Sequence, residues 1–97
     1  MNYYNEIKEK LIKSEIYDRA NDFAKDRNKV KVYFEIGELL SEAGKKYGKN
    51  IIKQYSEKLT IEVDKKYKVS NLYKMRKFYE VFGNEKLYPL GTKLKTL

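Results

Sequence analysis

Apolar residues recur along this chain at the three- and four-residue spacing of amphipathic helices, in four runs separated by short breaks. The first run covers residues 3–26. Ile7, Leu11, Ile12, Ile16, Ala20, Phe23 and Ala24 form its stripe, and neither Pro nor Gly interrupts it. Glu6 with Lys10 and Glu9 with Lys13 are four-residue pairs in the favourable order, each worth about 0.3 kcal/mol. A break near Ser14–Asp18 stays open. Asn28 is a candidate cap for a second helix over residues 29–47. There Val30, Tyr33, Gly37, Leu40, Gly44 and Tyr47 step three, four, three, four, three, and Phe34, Ile36 and Ala43 widen the stripe. Glycine inside a helix costs about 1 kcal/mol against alanine, so Gly37 predicts a close helix crossing. Gly48 reads as the stop, with Lys45 and Lys46 in the last turn suiting the helix dipole.

A third helix is predicted over residues 49–66, with Ile52, Tyr55, Leu59 and Val63 on its inner face. The segment Leu59–Val63 alternates β-branched residues and could pass for a short strand. The helical pattern before it, and the lack of a turn signal between them, favour helix. Ser70 is the candidate N-cap of a fourth helix over residues 70–82, which Gly83-Asn84 ends. Leu72, Met75, Tyr79 and Phe82 repeat at three, four, three. Projected at about 100° per residue, those four share one side, with Phe78 at its edge. Tyr73, Lys74, Lys77 and Val81 take the opposite side, and Arg76 lies on a flank from which it can snorkel either way. The remainder, Glu85–Leu97, holds Pro89, Gly91 and four leucines (Leu87, Leu90, Leu94, Leu97) that favour burial.

These runs predict an all-α fold: one domain over residues 1–97, with four main helices compact over about 1–84. The last two helices form a helix-turn-helix-like unit, and the 85–97 tail packs on it or belongs to a longer domain. Ninety-seven residues support one modest core and no second. Without cysteine there are no disulfides or thiolate metal sites, which fits a cytoplasmic location. No apolar run approaches the ~20 residues of a membrane span, and the first residues lack a signal peptide's apolar core.

Charge changes the picture. The formal net charge is +8, and lysine dominates it in the company of many Asn, Ile and Tyr, a mix that an AT-rich genome produces by itself. Distribution is more telling. Residues 1–48 carry ten basic and nine acidic groups, whereas residues 49–97 carry twelve and five. Lys65, Lys66, Lys68, Lys74, Arg76 and Lys77 fall within one stretch that contains no Asp or Glu. Such segregation points to one face for a polyanion.

Enzyme readings come out poorly. Histidine is absent, which excludes histidine acid–base chemistry, the usual triads and histidine metal sites. The Gly44–Asn50 run departs from a phosphate loop in spacing and in the residue after lysine, and reads as helix termination. Carboxylates at i,i+4 (Asp18 with Asp22, Asp22 with Asp26, Glu38 with Glu42) read as solvated helix faces rather than cation sites. Asp64-Lys65-Lys66 has the form that ends a nuclease metal motif, but no second acid on an adjoining strand accompanies it. No catalytic residue, metal or cofactor is assigned. Tyr33, Tyr55 and Tyr79 sit in apolar stripes and read as core. Tyr73 projects from the basic side, to contact a sugar or base edge or to cover a neighbouring helix.

The bland reading of the basic run is a solvated lysine face. The functional one is duplex DNA binding at a helix-turn-helix junction, where the N-terminal half of the second helix enters a groove. Lys65, Lys66, Lys68 and Arg76 would contact phosphates. Asn71, Tyr73, Lys74 and Lys77 would lie in or over the groove. The turn lacks the usual Gly, so phosphate binding is better founded than base reading. The rival is a protein-interaction module, in which the first helix or the tail leucines dock onto a nuclease domain, a second copy or a host nucleic-acid-processing complex targeted by a phage.

Three blocks carry a resemblance: Tyr33-Phe34-Glu35-Ile36-Gly37, then Tyr47-Gly48-Lys49 with Ile51-Ile52, then Val69 to Tyr79 (VSNLYKMRKFY). From about Asn21 to Leu97 the chain resembles the N-terminal domain of the YhcG-like family. That resemblance implies a bacterial, nuclease-associated helical module, widely carried on mobile elements, that precedes a PD-(D/E)XK-type nuclease domain and has a DNA-binding role. The nuclease domain has no counterpart in this sequence, so none of its catalytic residues carries over. The tryptophan-containing segment that usually follows in the family is also lacking.

Overall fold

A computed structural model of the chain describes the backbone of residues 3–20 and 25–85, and the side chains of residues 3–16 and 29–83. The described residues form four helices: α1 (Tyr4–Ala20), α2 (Lys25–Tyr47), α3 (Asn50–Glu62) and α4 (Val69–Glu85). The all-α, four-helix reading holds, and the Leu59–Val63 segment is helical through Glu62 rather than strand. Helix α2 is the hub and packs against each of the other three.

The core is one apolar cluster. Tyr4, Ile7 and Leu11 come from α1, Val32, Ile36, Leu40 and Ala43 from α2, Ile51, Ile52, Tyr55 and Leu59 from α3, and Leu72 and Met75 from α4. Gly37 is the crossing that its sequence position predicts. A Cβ on it would meet backbone atoms of Met75, so α2 and α4 touch main chain to main chain there. Gly48 ends α2 with φ +91, its N–H donating to the Gly44 carbonyl at 2.9 Å.

Several boundaries differ from the sequence reading. Helix α1 is unbroken from Tyr4 through Ser14 to Ala20, and Lys25–Tyr47 is α2, so residues 25 and 26 belong to the second helix and Asn28 lies inside it rather than at its cap. Helix α3 stops at Glu62, not 66. The Leu59 carbonyl accepts from both Val63 and Asp64, and the Asp64 carboxylate then takes the Lys66 N–H at 2.9 Å, which turns the chain. Helix α4 begins at Val69, with the Lys68 carbonyl accepting from Asn71 and Leu72, so Ser70 is an exposed first-turn residue and not the cap. It also continues through Gly83 to Glu85.

Two stripes are rotated from their predicted phase. In α2 the buried line is Val32, Ile36, Leu40 and Ala43, whereas Val30, Tyr33 and Tyr47 are exposed. In α1 the line is Tyr4, Ile7, Leu11 and Ser14, with Ile12 and Ile16 exposed. Both helices carry more apolar positions than their packed sides take: in α2 the contacts with α1, α3 and α4 close over Val32, Ile36, Leu40 and Ala43, and the apolar residues beside that sector stay outside it. Phe23, Ala24 and the leucines Leu87, Leu90, Leu94 and Leu97 lie outside the described residues. Lys10 turns to Glu35 of α2, 3.1 Å away.

Candidate nucleic-acid interface

The basic stretch occupies the six-residue connection between α3 and α4 and the first half of α4. A helix-turn-helix unit ordinarily uses three or four residues there. The connection is held from beneath by α1. Tyr67, flanked by two lysines, is buried, and its hydroxyl donates to the Glu15 carboxylate. Its carbonyl accepts from Ser56 Oγ at 3.0 Å. Lys66 Nζ lies 2.7 Å from the same Glu15 carboxylate. Burial pushes the Glu15 carboxyl up, but the Lys66 ammonium and the Tyr67 hydroxyl outweigh it and hold the group below its usual range. Burial first, and then Glu15, push the Tyr67 phenol well up.

A second tie joins α1 to the end of α3. Tyr4 donates to Glu62 at 2.6 Å, and Lys8 reaches the same carboxylate at 3.1 Å. These two contacts, Tyr4 first, keep the Glu62 carboxyl below its ordinary value. Lys58 sits over the Tyr4 ring, 4.4 Å from its centroid.

The eight sequence-selected residues divide into three groups. Lys65 and Lys68 are exposed on the connection, and Lys74 and Lys77 are exposed one turn apart on the outer face of α4. None of these four has an ion pair among the described residues. Lys66 and Asn71 instead line a hollow of about 50 Å³ against α1 and α2, with Lys29 and Tyr33. There Asn71 Nδ2 donates to the Lys66 carbonyl and closes the turn. Arg76 forms the third group. Its guanidinium lies 5.0 Å from the centroid of the Tyr73 ring, and its Nε is 3.4 Å from the Glu80 carboxylate. Tyr73 joins Lys74 and Lys77 along a shallow groove that continues over Phe78, Val81 and Phe82.

The outer face of α4 is therefore basic at its start and apolar at its end. The predicted core position Phe82 is half exposed, and Tyr79 is half-buried, its ring 5.1 Å from that of Phe34. Helix α4 has no acidic residue in its first turn, so no carboxylate of its own repels an anion there. Asp64 of the nuclease-like triplet serves the turn, and no strand adjoins it among the described residues. Sequence reasoning missed Tyr67 and Glu15, because a tyrosine between lysines and a lone glutamate carry no periodic signal.

No helix among the described residues is long and apolar enough to cross a membrane. A family model described as DUF1016 N-terminal domain matches residues 6–95. No curated protein and no solved structure matches the chain.

Proposed function

The chain belongs to the DUF1016 N-terminal domain family, the N-terminal helical module of YhcG-like proteins, and from that premise we propose that it is a duplex-DNA-binding module without chemistry of its own. The observation that carries this reading is the placement of Lys65, Lys68, Lys74 and Lys77. All four are exposed, lack a carboxylate partner among the described residues, and lie on the connection or in the first half of one helix whose first turn holds no acid. Lysines so placed neutralise phosphates and release condensed counterions. Tyr73 lies along the same groove as Lys74 and Lys77, within reach of a sugar or base edge. Lys66, Asn71 and Arg76 shape and brace this surface rather than supplying its free charge.

The test is a duplex-DNA titration, read by fluorescence anisotropy, at several salt concentrations. Four neutralised phosphates give a slope of log K on log salt of about −3.6. A flat response would end the proposal.

A second reading, a protein-interaction module, draws on the exposed apolar end of α4 at Val81 and Phe82. Under that reading, Lys74→Glu/Lys77→Glu leaves binding of the partner intact.

A further inference from the structure

We propose that the aromatic part of the α4 groove stacks unpaired bases, so that the DNA bound here is a duplex beside a single-stranded stretch. The inference rests on the DNA-binding reading and names the class of DNA that the same face selects. Phe82 is 50% and Val81 44% exposed, and the Phe78 and Phe82 rings pack together with centroids 4.7 Å apart. Single exposed apolar residues need no explanation, whereas a contiguous group of large ones marks a contact surface.

The neighbours of these rings decide the chemistry of the occupant. The shallow groove, about 460 Å³, is lined by Tyr73, Lys74, Lys77, Phe78, Val81 and Phe82. Among these described residues three are aromatic, two are cations and none is an acid. Glu80, on the same helix, lies 3.4 Å from Arg76 Nε and is not in the lining. An apolar partner would leave the two lysines without counter-charge, and a bare polyanion would leave the rings in water. Unpaired nucleotides answer both, because their phosphates suit the lysines and every base offers a flat face for an aromatic ring. A closed duplex does not, since its bases cover one another and show only their edges in the grooves.

The spacing fits a short stretch of strand. Helical rise sets Phe82 about 7.5 Å beyond Lys77 and about 12 Å beyond Lys74 along the axis. One DNA strand advances about 3.4 Å per nucleotide, so a base about two to four nucleotides past a phosphate held by these lysines arrives over the rings.

The test uses the full chain and one labelled duplex in three forms: blunt, with a short single-stranded thymidine extension, and with an abasic extension of equal length. Extensions of both polarities are tried. The thymidine form is expected to bind about tenfold more tightly than the abasic form, which carries the same phosphates; one base–aromatic stack is worth about that much. Phe82→Ala is expected to erase this difference while blunt-duplex affinity, its salt slope and the far-UV helical signal stay as in the parent chain. Equal affinity for the thymidine and abasic forms overturns the proposal and leaves duplex binding standing, and so does a thymidine gain that survives Phe82→Ala. Absence of salt-dependent binding to every form would remove the DNA-binding reading itself, and this proposal with it. Because alanine also strips the Phe78 ring of its neighbour, Phe82→Trp gives an independent measurement, as it supplies the sole indole. Its emission is expected to be quenched by the thymidine extension and not by the abasic one. An indole that responds equally to both refutes stacking.

Discussion

Gly37 of α2 lies so close to Met75 of α4 that a Cβ built on it would stand 2.1 Å from the Met75 carbonyl oxygen. The same Cβ would be 2.7 Å from Tyr79 Cβ. The neighbours are main chain and a Cβ, which cannot swing aside as the end of a long side chain can. Gly37→Ala gains about 1 kcal/mol of helix propensity, yet it must push α4 away from the hub. Overpacking of this kind typically costs about 1–3 kcal/mol, and the backbone contact places it at the upper end. Net destabilisation of about 2 kcal/mol is expected, measured by urea unfolding. Gly44→Ala on the same helix is the control. Nothing lies within 4 Å of a Cβ there, so it should stabilise by about 0.5–1 kcal/mol.

Tyr67→Phe should cost about 1.5 kcal/mol at neutral pH, because it deletes a part-buried hydrogen bond to a charged group. The cost depends on pH with a definite sign. The Glu15 carboxyl is held below its ordinary value in the fold, so its contribution is present above the usual glutamate range and is lost as pH falls through the depressed value. The stability gap between the parent chain and Tyr67→Phe should therefore narrow in acid. A gap unchanged down to the acid limb would mean that Glu15 is not the partner that matters.

How much of this was legible in advance depends on the kind of signal. The crossing at Gly37 was readable because glycine in mid-helix has a cost that only a close contact justifies. The inner face of α3 was readable too, since Ile52, Tyr55 and Leu59 are buried as predicted. The phase of α2 was not, because Val30 and Tyr33 are apolar yet lie outside the packed sector. The end of α3 depends on hydrogen bonds made by Asp64 and Ser56 to the connection, and hydrophobic periodicity carries no trace of them. At the candidate site the sequence brought six cations together as a row. Only coordinates separate Lys66 and Arg76, which have carboxylate neighbours, from Lys65, Lys68, Lys74 and Lys77.

Alkaline pH should unfold the domain through its tyrosines. The phenols of Tyr4, Tyr55 and Tyr67 are all pushed up, in each case chiefly by burial. A raised folded value favours the native state below the ordinary phenol range, and that advantage is lost as pH climbs toward the folded values. Absorbance at the phenolate band should show these three ionising together with loss of the helical signal. Tyr55→Phe, which keeps the buried ring, should remove one such step. Early, helix-independent ionisation of all three would contradict their packing.

The division of cations gives the sharpest test of DNA binding. Lys74→Ala/Lys77→Ala removes two exposed charges and should reduce the salt slope by about 2, since each phosphate contact contributes close to one. The charge reversal Lys74→Glu/Lys77→Glu should weaken binding more than tenfold at physiological salt, because repulsion replaces attraction. Lys66→Ala should behave differently. Its ammonium already lies 2.7 Å from the Glu15 carboxylate, so its loss should lower stability while leaving the salt slope nearly unchanged. If Lys66→Ala and Lys74→Ala instead reduced the slope equally, the polyanion would be displacing Glu15 from Lys66. The bound surface would then extend across the connection toward α1, and binding should loosen the Tyr67–Glu15 contact, which amide exchange over residues 63–68 with and without DNA would detect.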